Sequence, residues 1–154
     1  MAHQAVPSGG HCGHREERPY MDRISTIKRS ALMKNVRSCN TAPERIISSL
    51  LRNSGYKFKK HVKILPGTPD FVMFDVKVAI FAQGCFWHQH KSCLRSKRPE
   101  SNSTFWNEKL NKNILRDGRN KKALWKMGWH VLTIWECSLK NKEKILKRIQ
   151  RFAK

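Results

Sequence analysis

Hydrophobic and polar positions fall into a regular pattern from residue 41 onward. Over residues 41–54, Ile46, Ile47, Leu50 and Leu51 recur at helical spacing and predict one buried stripe. Thr41-Ala-Pro-Glu44 supplies an N-cap, a proline tolerated in the first turn and the glutamate of a capping box. Residues 56–64 read as a strand, Pro66-Gly67 as a turn, and residues 70–74 and 77–81 as two strands joined at Asp75. After a loop rich in cysteine, histidine and basic residues, a long helix is expected over residues 103–127, stopped by Gly128. Residues 129–135 read as another strand. Residues 138–152 form a last helix, with Leu139, Ile145, Leu146, Ile149 and Phe152 on one face and lysines elsewhere. Trp125, Trp129 and Trp135 are assigned to the core. The mixture of strands and helices predicts an α/β fold, and no internal repeat is present.

The first 20 residues lack this periodicity and are rich in Gly, Pro, His and charge. They are expected to be a disordered extension, with Met21 a candidate start and one domain over residues 21–154. His11, Cys12 and His14 could bind a metal or belong to a flexible tract. A chain of 154 residues suits a single core and so a single site. No apolar run approaches the roughly 20 residues that cross a bilayer, and no apolar segment of signal-peptide type opens the chain. A soluble, cytoplasmic monomer without a membrane partner is expected.

Charge changes the picture. Lys and Arg total 32 against 11 Asp and Glu, a formal net charge of +21. That excess is far beyond what solubility needs and points to a polyanion, with nucleic acid first among the candidates. Composition alone does not separate DNA from RNA. Arg23, Lys28, Arg29 and Lys34 would grip phosphates, or form a solvated charged face.

Candidate chemistry is concentrated in two places. The run from Gly84 to Cys93 holds Cys85, His88, His90 and Cys93, and Cys137 follows the last strand. An odd number of cysteines beside histidines favours metal ligation over disulfides. Cys85, one of the two histidines, Cys93 and Cys137 would complete a closed tetrahedral Zn2+ site, the alternative being that Cys137 is an ordinary buried thiol. Cys39 is expected to be a packing residue. The second place is Pro69-Asp70 at the head of a strand, followed across a turn by a strand ending Phe81-Ala82-Gln83. A rigid carboxylate there suits Mg2+ held against a scissile phosphate, while a nearby group activates water.

The ordered set Pro66-Gly67-Thr-Pro-Asp70-Phe71, Phe81-Ala-Gln-Gly-Cys-Phe-Trp-His88, Phe105-Trp106, Asp117, Gly128-Trp129 and Trp135-Glu-Cys137 resembles the very-short-patch repair (Vsr) endonucleases. Those enzymes nick DNA at T:G mismatches left by deamination of 5-methylcytosine. The resemblance implies a restriction-endonuclease-like core, a mixed β-sheet flanked by helices with a structural zinc site. It implies Asp70 and the Ala82 carbonyl as Mg2+ ligands, His88 as the group that activates water, Glu44 as the acid that orients His88, and Asp117 as a further active-site aspartate. It selects Cys85, His90, Cys93 and Cys137 for zinc, with one extra residue between His90 and Cys93 that a flexible loop would absorb. Phe86, Trp87 and Trp106 would wedge into the duplex, a step that a mismatch makes easier.

Two departures matter. The family's Thr-His pair is Ala82-Gln83 here. A main-chain carbonyl serves as a ligand whatever its side chain, but Gln83 can donate a hydrogen bond and cannot carry a proton. Glu44 is equally accounted for by capping its own helix, Asp117 by an ion pair with Arg116 or Lys121, and Trp106 by core packing. The expected partner is double-stranded DNA with a T:G mismatch. A cytosine methyltransferase, mismatch-repair factors and a bacterial, nucleoid-associated setting are implied by resemblance. The rival readings are a zinc-stabilised DNA-binding protein with reduced or lost catalysis, and a basic RNA-binding protein.

Overall fold

The computed structural model describes residues 39–152. The expected tail, the start at Met21, the tract His11, Cys12 and His14, and the basic residues Arg23, Lys28, Arg29 and Lys34 lie outside the described residues.

Helix α1 spans Ala42–Asn53. Thr41 caps it, with both halves of the capping box formed to Glu44. Strands β1 (Lys59–Lys60), β2 (Phe71–Met73), β3 (Val78–Gln83) and β4 (His130–Trp135) make one sheet in that order. The first two pairings are antiparallel, whereas β3 and β4 run parallel with Val78 opposite His130 and Gln83 opposite Trp135. A parallel pair needs a long crossover, here provided by helix α2, Ser103–Lys126. Helix α3, Lys142–Gln150, ends the described fold.

Period-two alternation sends side chains to the two faces of the sheet. Phe71, Met73, Val78 and Ile80 pack with Ile47 and Leu51 of α1 and Ile145 and Ile149 of α3. Val72, Ala79 and Phe81 face the other way, onto Leu124 of α2 and Leu65. The sheet is thus covered on both faces, as a parallel pair requires. Fully buried side chains such as Ile47 and Leu51 each contribute roughly 1.5–3 kcal/mol through burial. With Phe81 on the α2 side and Ala82 packed on the α1 side, Gln83 again turns toward α2. The end of β3 therefore addresses both layers.

Several expected elements are corrected. The strand over residues 56–64 shrinks to two residues, because His61 takes a left-handed conformation, φ 48°, and the chain leaves the sheet. Ile64 is 82% exposed. The last helix begins only at Lys142, where the Asn141 side chain accepts the Lys144 amide at 2.9 Å; Glu136–Lys140 is a separate 3-10 turn. Phe152 lies past the end of α3 and is exposed. Trp125 is 57% exposed rather than core, because the helix rotation of one residue gives the buried position to Leu124. Trp129 and Trp135 are half-buried, and Cys39 is exposed rather than packed.

Replacing Thr41 by alanine removes the hydroxyl that accepts the Glu44 amide and donates to Glu44 Oε1 at 2.8 Å. A loss of about 1 kcal/mol is expected in urea unfolding. An unchanged midpoint would contradict the role given to this cap.

Candidate active site and metal centre

Asp70 stands immediately before β2, and its Oδ2 accepts the Ala82 amide of β3 at 2.7 Å. One carboxylate oxygen is thereby fixed to the neighbouring strand. Burial raises the Asp70 carboxyl above its ordinary range against the pull of the Ala82 amide; nearby Glu44 adds to the rise, and His61 and His88 oppose it.

Glu44 does not orient His88. Its Oε2 lies 3.2 Å from Nε2 of His61, and it also closes the capping box of α1. The two duties expected as alternatives, capping and pairing with a histidine, coexist in one carboxylate, but the histidine is a different one. Asp117 orients His88 instead, with its Oδ2 2.5 Å from Nδ1 of that ring. Arg116 donates to the other oxygen of Asp117 at 3.3 Å, so the expected ion pair with Arg116 also forms. Burial pushes the Asp117 carboxyl up, yet the hydrogen bond and charge of His88, with Arg116, outweigh it and leave the group below its ordinary range. Gln83 is buried and donates to Asp117 Oδ2 at 3.4 Å.

His88 owes its place to the loop after β3. Its amide donates to the Gly84 carbonyl at 3.2 Å, and Asn113 of α2 donates to the Trp87 carbonyl at 3.1 Å. Arg98 ties Gln89 in this loop to Asn107 and Asn111 of α2, with donor distances of 2.7–2.8 Å. Beside His88 opens a cleft of about 300 Å3 lined by Gly67, Thr68, Phe81, Gln83, Arg116, Asp117, Asn120 and Lys121. Gly67 has φ 77°, and a Cβ there would stand 2.7 Å from the Asn120 side chain, so only glycine allows this approach. Burial lowers the Lys121 ammonium below its ordinary value, and Asp117 opposes that change.

Cys85, His90, Cys93 and Cys137 come together with all four ligand atoms within 4.8 Å of one another. His90 Nδ1 lies 3.3 Å from the Cys137 sulfur and 3.7 Å from that of Cys85. Its ring stacks on Trp135 at 4.2 Å. The extra residue before Cys93 is absorbed by a turn in which Ser92 has φ 59° and the Cys93 amide donates to the His90 carbonyl at 3.2 Å. Burial, with Cys137 and Cys93 nearby, pushes the Cys85 thiol up to about 12, whereas the Arg95 amide is the first cause lowering Cys93. Three sulfurs and one imidazole nitrogen at these separations fit a closed tetrahedral ion and leave no side for a substrate.

Phe86, Trp87 and Trp106 form one aromatic cluster with centroid separations of 5.2–6.1 Å. Trp106 is only 6% exposed, because α2 turns it inward, and it backs the half-buried Phe86 and Trp87. Phe105 is exposed beside it, and the Lys109 ammonium sits over the rings of Trp87, Phe105 and Trp106 at 5.3–5.7 Å.

Sequence reading missed His61, hidden in the basic run Lys59-Lys60-His61 within an expected strand. It also missed Asn120 and Lys121 as cleft residues, although their helical spacing from Arg116 and Asp117 puts all four on adjoining turns of α2.

A histidine and carboxylate pair lies beside a cleft with Arg116 and Lys121 on its wall, next to a soft-ligand cluster, and comparison with known proteins points to a DNA endonuclease. The family model described as DNA mismatch endonuclease Vsr matches residues 21–95. The DNA mismatch endonuclease Vsr of Escherichia coli (strain K12) is 42% identical over 117 residues, covering 76% of this chain and 74% of that protein. The type II nicking enzyme V.XorIIP of Xanthomonas oryzae pv. oryzae is 44% identical over 118 residues, covering 77% of this chain and 86% of the relative. Among solved structures, the catalytic domain of the homing endonuclease I-Bth0305I aligns with a TM-score of 0.52 and 25% identity, over 73% of this chain and 94% of that one. The chain belongs to the Vsr family of DNA mismatch endonucleases.

Because the folded state raises the Asp70 pKa, ionising this group opposes folding. The opposition is absent below the ordinary aspartate range and complete above the raised value. Asp70→Asn, which keeps an acceptor for the Ala82 amide, should therefore unfold at a higher temperature than the parent at neutral pH without added Mg2+. The advantage should vanish as pH falls through the aspartate range. A variant less stable than the parent at neutral pH would contradict this electrostatic reading.

Proposed function

We propose that this endonuclease cuts one strand of duplex DNA on the 5′ side of a thymine mispaired with guanine, in a Mg2+-dependent hydrolysis. The observation that carries the reading is the His88–Asp117 pair, 2.5 Å apart, beside a cleft with Arg116 and Lys121 on its wall. Asp70 and the Ala82 carbonyl would hold Mg2+, an ion that when bound supplies Lewis-acid polarisation of the phosphate oxygens. Oδ1 of Asp70 supports that role, since only Oδ2 is committed to the Ala82 amide.

His88 takes the proton from the attacking water while Asp117 holds its ring and stabilises the imidazolium that forms. The water oxygen bonds to phosphorus, the bond to O3′ breaks, the departing O3′ takes a proton from solvent water, and the products are a 3′-hydroxyl and a 5′-phosphate. Arg116 and Lys121 offer positive charge to the DNA backbone. Gln83, occupied with Asp117, helps to fix the carboxylate that fixes His88. Phe86 and Trp87, backed by Trp106, enter the duplex at the mismatch, where unstacking costs least. A structural Zn2+ on Cys85, His90, Cys93 and Cys137 ties the catalytic loop to the end of β4. Mismatch-repair factors and a cytosine methyltransferase in a bacterial cytoplasm complete this reading.

The test is a nicking assay on labelled T:G and T:A duplexes with Mg2+ or chelator. Cutting should require the mismatch and the ion, and His88→Ala should lower the rate about 10²- to 10⁴-fold with DNA binding retained. Mismatch binding without any nicking would favour a noncatalytic DNA-binding protein, and nicking that survives Asp70→Asn would refute the Mg2+ assignment. Separately, one zinc per chain is expected, and Cys93→Ser should lose the metal and thermal stability. A zinc-free purified protein would refute the Zn2+ assignment.

A further inference from the structure

Resting on the assignment of the catalytic ion to Asp70, we propose that His61 is a direct ligand of that ion, making the centre a mixed carboxylate and imidazole site that prefers Mn2+ to Mg2+. The ring lies between two carboxylates, with Nε2 at 3.2 Å from Glu44 Oε2 and Nδ1 at 3.9 Å from Asp70 Oδ1. The first separation is a hydrogen bond and the second is too long for one.

Glu44 is 3% exposed, and both of its oxygens are committed. Oε1 accepts the amide and the hydroxyl of Thr41, and Oε2 accepts the Asn40 amide at 3.1 Å beside His61. A carboxylate so occupied orients the ring and is not itself free to bind an ion. That contact sets the direction of the imidazole, whose Nδ1 faces Asp70. Asp70 Oδ2 is held by the Ala82 amide, so the atom that faces Nδ1 is the uncommitted Oδ1. A separation of 3.9 Å between Nδ1 and Oδ1 is one that an ion ligated by both atoms, at roughly 2.1 Å from each, can span. A carboxylate behind a histidine that faces a metal is the recurrent way proteins fix the tautomer and direction of an imidazole ligand.

Backbone geometry agrees. His61 adopts φ 48°, a region that residues other than glycine seldom occupy and that tends to mark functional positions. Its amide donates to the Asp70 carbonyl at 3.3 Å, so the departure from β1 keeps the two residues together. The ligand atoms of Glu44, His61 and Asp70 all lie within 4.8 Å of one another. Imidazole nitrogen suits transition ions, whereas Mg2+ keeps oxygen ligands and sheds water reluctantly.

The experiment uses the full-length, zinc-loaded protein titrated with Mn2+ and followed by electron paramagnetic resonance, with pulsed measurements for nitrogen coupling and Mg2+ as competitor. One bound Mn2+ with coupling to a directly ligated nitrogen is expected. His61→Gln should abolish that coupling and weaken Mn2+ binding about tenfold or more, while changing Mg2+ affinity much less. The retained Mg2+ affinity also shows that the variant is folded. Absence of nitrogen coupling in the parent, or coupling that survives His61→Gln, overturns the proposal and leaves the Asp70 assignment standing. Mn2+ binding unchanged in Asp70→Asn overturns both.

Discussion

A single hydrogen bond, from the Ala82 amide of β3 to Asp70 Oδ2, organises the rest of the site. It joins the head of β2 to the end of β3 where the chain must leave the sheet, and it fixes which carboxylate oxygen stays free. The residues that follow Ala82 inherit their directions from it. Gln83 turns to Asp117 on α2, the next residues form the loop that carries His88, and the cysteine cluster brings that loop against Cys137, just past β4.

Two histidine and carboxylate pairs result, each built from separate layers. Glu44 of α1 holds His61, and Asp117 of α2 holds His88. Between them Asp70 contributes a carboxyl that burial makes reluctant to ionise. In a chain with a net charge of +21, these few acids are buried or half-buried while the basic residues dominate the surface. That division lets the surface attract a polyanion at long range and keeps negative charge inside the site. The sheet's own stability comes from elsewhere, from the apolar faces packed under α1, α3 and α2.

Much of this was legible in the chain. The α1 stripe and its capping box, the long crossover helix and the two central strands follow from local periodicity, which survives because each element buries one continuous apolar face. The cysteine and histidine cluster was legible because its ligands crowd into one loop, and only Cys137 had to be supplied by the fold. Pairings were less legible. Glu44 sits 17 positions before His61 in sequence, and no local pattern says that it meets His61 rather than His88. Trp106 and Trp125 share one helix, and a rotation of its face decides that the first is buried and the second exposed. His61 is the histidine that the fold brings to Asp70.

The most direct measurement is a crystal structure of the protein with an uncut T:G duplex and Ca2+ in place of the catalytic ion. The expected result is an ion on Asp70 at the phosphate 5′ to the mispaired thymine, with His88, still bonded to Asp117, facing the phosphorus from the side opposite O3′. An ion bound away from Asp70, or His88 turned from the phosphate, would contradict the catalytic arrangement.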